Sequence, residues 1–167
     1  NGVRATIRTP TRDSDNYCTV GDAKKHVEFD LAPRTIKARY VHRCLMSKHL
    51  GPFAIADPSP VVLPCVRSDS GAWRSATPTE LAMAPGTRTH FEQVVAESDF
   101  NSLAEFWDFL DFRHKLSKQR MDRRSWLVIY GAGGGIPAAA CAPVSKLGGD
   151  SLIVDQTLYW LTTHDPK

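Results

Sequence analysis

The chain has 167 residues, 42% of them hydrophobic and 23% charged, with 21 Lys and Arg against 18 Asp and Glu for a net charge of +3. This balance excludes collagen-like, coiled-coil and wholly disordered chains. No apolar run approaches the roughly 18 residues that a membrane-crossing helix needs. Four cysteines without a Cys-x-x-Cys pair do not form a disulfide scaffold. With no apolar leader core near Asn1, they lead us to expect a reducing, cytoplasmic setting.

Residues 1–67 alternate apolar and polar side chains with period two, the pattern of half-buried strands. Val3, Ala5 and Ile7 share one face, and Val27, Phe29 and Leu31 share another. Ile36, Ala38, Tyr40, His42 and Cys44 form a third series. Between the first two, Thr9 to Gly21 is rich in Thr, Asp, Asn and Pro and is expected to be a loop. Residues 68–90, rich in Ser, Thr, Gly and Pro, are expected to be a linker or long loop inside a single domain spanning 1–167. Residues 91–167 would form an α/β part.

A helix is predicted from Ser102 to Lys118. Ser102 and Glu105 have capping-box spacing, and Leu103, Phe106, Trp107 and Leu110 form an apolar stripe. Acids lie early and bases late, as the helix dipole favours. Beyond it, Trp126 to Tyr130 is a buried-strand run. Gly131 to Gly135, a short helix over 136–142 and a strand over 151–155 would follow. The fold class expected is therefore α+β or mixed α/β: a β-rich first half, a long amphipathic helix, and a C-terminal strand–glycine turn–helix–strand unit.

Two functional readings arise. The Gly131-x-Gly133-x-Gly135 run resembles the glycine motif of S-adenosylmethionine-dependent methyltransferases, and the start of Rossmann-type nucleotide-binding proteins, over about 30 residues. The resemblance implies that the three glycines cradle S-adenosylmethionine or a dinucleotide and that Asp155 holds the ribose. Ile129 stands where the methyltransferase motif commonly has an acid, and only 12 residues follow Asp155. A permuted order would want an Asp-Pro-Pro-aromatic tetrad upstream, and Asp57-Pro58-Ser59-Pro60 is a partial echo of it. A tight structural turn is the competing reading of the same glycines, which are common after strands.

The second reading is a non-catalytic interaction subunit of a nucleic-acid or multiprotein assembly. Residues 113–124 hold Arg113, Lys115, Lys118, Arg120, Arg123 and Arg124 against Asp122 alone. Such a run can neutralise phosphates of RNA or DNA. Trp126 and Tyr130, nearby on the strand, are expected to pack in the core. His42 and Cys44, two apart on one strand face, would be the best pair of metal ligands, but no zinc-site spacing completes them and no metal is assigned. No Gly-x-Ser-x-Gly nucleophile motif occurs.

Overall fold

The computed structural model describes residues 5–8, 16–21, 34–133 and 136–164. Its strands are β1 (Ala5–Arg8), β2 (Asn16–Gly21), β3 (Arg34–Lys37), β4 (Val41–Leu45), β5 (Leu50–Gly51), β6 (Ala54–Ile55), β7 (Ser59–Val62), β8 (Cys65–Arg67), β9 (Trp73–Ser75), β10 (Trp126–Gly133), β11 (Ile136–Pro143), β12 (Leu152–Val154) and β13 (Tyr159–Thr163). The α-helices are α1 (Pro78–Ala82), α2 (Pro85–Ala96), α3 (Leu103–Leu110) and α4 (Val144–Leu147). The architecture is a mixture of helices and small sheets, compatible with α+β. The chain divides into two compact units, Asn1–Val41 with Pro60–Ser117, and His42–Ser59 with Lys118–Lys167.

In the first unit β1, β2 and β3 form an antiparallel sheet in which Ala5 faces Gly21 and Asn16 faces Lys37. The expected loop over Thr9 to Gly21 therefore ends early, because Asn16–Gly21 pairs on both sides. The expected strand around Val27 to Leu31 lies outside the described residues. Helix α2 lies close to β3: a Cβ on Gly86 would collide with the Thr35 carbonyl oxygen, so only glycine permits this approach. The Lys37 N–H donates to Thr87 Oγ1 at 3.0 Å beside it. Ile36, Tyr40, Val62, Val66, Leu81 and Phe91 share the core of this unit. Residues 68–90, expected to be a linker, hold β9, α1 and the start of α2; their prolines begin helices rather than break them.

Helix α1 opens on a reciprocal cap, with Glu80 N–H donating to Thr77 Oγ1 at 3.2 Å and Thr77 N–H donating to Glu80 Oε2 at 2.8 Å. Both Arg74 terminal nitrogens reach the same carboxylate at 2.8 Å. These bonds, the Arg74 fork first, hold the Glu80 carboxyl at a pKa of about 2. Its folded value lies below the unfolded one, so its stabilisation is complete above about pH 4.5 and disappears as pH falls toward 2. Glu80→Gln should cost about 1 kcal/mol at pH 7, a figure discounted for the exposure of Arg74. In paired urea denaturation curves, the gap between variant and parent should close by pH 2.

Helix α3 is shorter than its pattern predicts. Ser102 caps it, with Glu105 N–H donating to Ser102 Oγ at 3.1 Å, but Glu105 turns back to Asn101 instead of completing the box. The helix stops at Leu110, and Arg113 and His114 adopt positive φ. Asp111 explains the stop: its Oδ1 accepts from the N–H groups of Leu116 and Ser117 at 2.9 and 2.7 Å, which a continuing helix would have used itself. Burial pushes the Asp111 carboxyl up. The Ser117, Leu116 and His114 hydrogen bonds outweigh it, so the pKa settles below the ordinary value.

In the second unit β10 is the centre of an antiparallel sheet ordered β11–β10–β13, and β12 pairs parallel to β4. Leu127 and Ile129 face inward among Leu45, Val144, Leu147, Leu152, Val154 and Leu158. Gln119, fully buried, acts as an extra strand partner for β12: its Nε2 donates to Val154 O at 2.6 Å and its Oε1 accepts from Val154 N–H at 2.9 Å.

Candidate nucleic-acid interface

The glycine run does not lead into a helix. Residues 136–143 are strand β11, paired back onto β10 from Trp126↔Pro143 to Gly133↔Ile136. An alanine-rich stretch has high helix propensity, but here cross-strand pairing with β10 and burial of Ala140 override it. Pro137 and Pro143 are tolerated because β11 is the outer strand of its ladder. Gly133 closes the pairing, and Gly135 lies outside the described residues. Gly131 has a packing role, since a Cβ there would stand 2.8 Å from Leu158 Cδ2.

Asp155 is not on a strand beside β10. It follows β12, donates its N–H to Leu45 O at 2.8 Å, and uses Oδ1 to accept from the N–H and hydroxyl of Thr157 at 2.9 and 2.6 Å. The carboxylate thus closes the turn toward β13. The helix N-terminus and the adjacent acid on which the cofactor expectation rested are not brought together. Asp57-Pro58-Ser59-Pro60 likewise serves the backbone: the Pro58 carbonyl faces Arg43 and Ser59 begins β7.

His49 and Ser59 meet at 2.9 Å, which invites comparison with a nucleophile and its base. The tautomer is wrong for that chemistry. His49 Nδ1 accepts from Met46 N–H at 2.9 Å, so Nε2 carries the proton and donates it to Ser59 Oγ. A base must instead accept the serine proton. His42 and Cys44 do share the buried face of β4. Among the described residues no group of three or more His, Cys, Asp or Glu could hold a metal ion.

The predicted basic run divides between the units. Arg113 and Lys115 belong to the first, where the Arg113 guanidinium lies over the Phe112 ring. Lys118, Arg120, Arg123 and Arg124 belong to the second, all exposed. Gln119 and Met121 point inward between them and pin the segment as a ridge. Asp122 is the one acid in the segment, its Oδ1 accepting from the Arg124 backbone N–H at 2.8 Å, and against the four cations it leaves the segment positive. Among the described residues none of these four cations has an ion-pair partner. The second unit holds eight Lys and Arg against five Asp, so the whole net charge of +3 resides in it.

The ridge runs directly into β10, whose outer face was missed by the reading of Trp126 and Tyr130 as core. Tyr130 is 52% exposed and stacks on Tyr159, 62% exposed, with ring centroids 5.0 Å apart and planes 13° apart. The two are register partners on β10 and β13. Val128 lies opposite both Leu161, 53% exposed, and the exposed Cys141. The result is an uncovered apolar sheet face that carries an aromatic pair, on the strand that the basic segment enters. The period-two pattern could not reveal which face is outward, since Trp126, Val128 and Tyr130 are as apolar as Leu127 and Ile129.

No helix among the described residues is long and apolar enough to cross a membrane. In comparisons with known proteins, no family model, curated protein or solved structure matches the chain.

Proposed function

We propose that this protein is a non-catalytic nucleic-acid-binding module that receives single-stranded RNA or DNA on the outer face of the β11–β10–β13 sheet. The observation that carries the reading is the exposed Tyr130–Tyr159 stack on the same strand that the exposed, basic Lys118–Arg124 segment enters. Single-strand binders need both parts: cations that track the phosphates, and aromatic faces on which any base can stack. A duplex hides its base faces and would leave the tyrosines unused. The concentration of net positive charge in this unit supports a polyanionic occupant over a second apolar surface.

The salt dependence of binding tests the reading. Anisotropy titrations of a fluorescein-labelled oligo-dT 15-mer over 50–200 mM salt should give a steep log–log slope. Arg123→Ala combined with Arg124→Ala should weaken binding and make that slope shallower by about 1.4, since each lost phosphate contact on a single strand removes about 0.7. Folded protein that binds no oligonucleotide at 50 mM salt would refute the proposal.

A further inference from the structure

One turn of the second unit gathers charge from two distant parts of the chain. Gly148 and Gly149 lead from α4 towards β12, with φ of 127° and 56°, values that glycine tolerates and other residues avoid. Each has an arginine stem laid against it. A Cβ on Gly148 would stand 2.7 Å from Cβ and Cγ of Arg43, and a Cβ on Gly149 would stand 3.7 Å from Cγ, Cδ and Nε of Arg123. The first approach is closer than a side chain at position 148 would permit, so glycine is what lets the Arg43 stem lie there. Consecutive Cα atoms are about 3.8 Å apart, so both stems rest on a single turn.

The two arginines arrive by different routes. Arg43 lies on β4 between the buried His42 and Cys44, so alternation turns it outward, and its register partner on β12 is Leu152, just beyond the turn. Arg123 belongs to the basic segment. Packing accounts for the glycines and for the arginine methylenes, and an apolar side chain would pack as well. It leaves the guanidinium groups without a role. Both residues are exposed, and the contact of Arg43 Nη1 with the Pro58 carbonyl, at 3.4 Å, is longer than a strong hydrogen bond. Residues 144–151 hold Lys146 and Asp150 and are neutral, so the arginines set the sign of this surface. A held stem with an exposed fork suits phosphate: the fork presents paired N–H donors, and less rotamer entropy remains to be lost on binding. We infer that Arg43 and Arg123, seated on the Gly148–Gly149 turn, form a site for a backbone phosphate of the bound strand. This inference rests on the proposed single-strand binding and adds Arg43, far from the basic run in sequence, to its phosphate contacts.

The test titrates the parent, Arg43→Met, Arg123→Met and Lys48→Met with fluorescein-labelled oligo-dT and with a labelled abasic oligomer of equal phosphate number. Methionine keeps an unbranched stem against the glycine and removes the charged fork, so melting temperatures should stay near the parent's. Arg43→Met should weaken both oligomers about ten-fold at 50 mM salt. Its log–log salt slope should be shallower by about 0.7, the value of one lost single-strand phosphate contact. Arg123→Met should behave alike, and Arg43→Lys, which keeps the charge, should retain the slope. Where Arg43→Met does not fold, Arg43→Gln makes the same comparison. Parental affinity and slope in the folded Arg43 variant would overturn the site. So would weakened binding of oligo-dT alone, which marks a base contact, or an equal loss in Lys48→Met, an exposed cation of the same unit. In those cases the single-strand reading still stands if the Tyr130→Ala, Tyr159→Ala protein loses oligo-dT. A folded parent that binds neither oligomer overturns both, even where inorganic phosphate still binds it.

Discussion

Replacing Tyr130 and Tyr159 together by alanine is expected to weaken oligo-dT binding on the order of 100-fold while leaving the fold intact. Stacking one base on an aromatic ring contributes about 1–3 kcal/mol, so losing two platforms reaches this range even where the contributions overlap. Both rings are more than half exposed, so their removal opens no cavity in the core. What the free protein loses is the contact between the rings, worth about 1 kcal/mol for an aromatic pair. Anisotropy titration beside thermal melting separates the effects. Tyr130→Phe, which keeps the ring, should bind nearly as the parent does. Undiminished affinity in the double alanine protein would show that the oligonucleotide lies elsewhere.

Gln119→Leu should be the most destabilising single substitution among those considered, by about 3 kcal/mol in urea denaturation. The leucine has similar bulk but neither donor nor acceptor, so the N–H and C=O of Val154 lose their partners inside the core. Each buried, unsatisfied backbone group costs about 1–3 kcal/mol. Hydrogen exchange at the Val154 amide should accelerate to match. The comparison is Arg120→Ala, one residue away but outward, which should change stability by less than about 0.5 kcal/mol. The same alternation explains why the basic ridge has a fixed place: Gln119 and Met121 anchor it while Lys118 and Arg120 face solvent.

Local chemistry was legible wherever a residue's role depended on near neighbours. Ser102 caps α3 as its spacing predicts, and the basic run is exposed; the alternation expected through Ile36, Tyr40, His42 and Cys44 survives as a burial pattern, but a 3-10 turn over Ala38–Tyr40 breaks it into two strands. Where competing partners decide, the reading fails. The helix expected to reach Lys118 stops at Leu110 because Asp111 captures later backbone N–H groups.

By itself the sequence determined the mixture of helices and strands, a small local excess of positive charge, and a glycine run following a strand. These depend on composition, period and spacing, which survive any arrangement of the elements. Only the tertiary structure decided that the glycine run is followed by an antiparallel strand, that Asp155 serves a turn, and that Tyr130 faces outward. The physical reason is the same in each case. An alanine-rich segment, a carboxylate and an aromatic ring each satisfy several local rules, and the choice falls to whichever distant partner completes their hydrogen bonds or leaves a face uncovered.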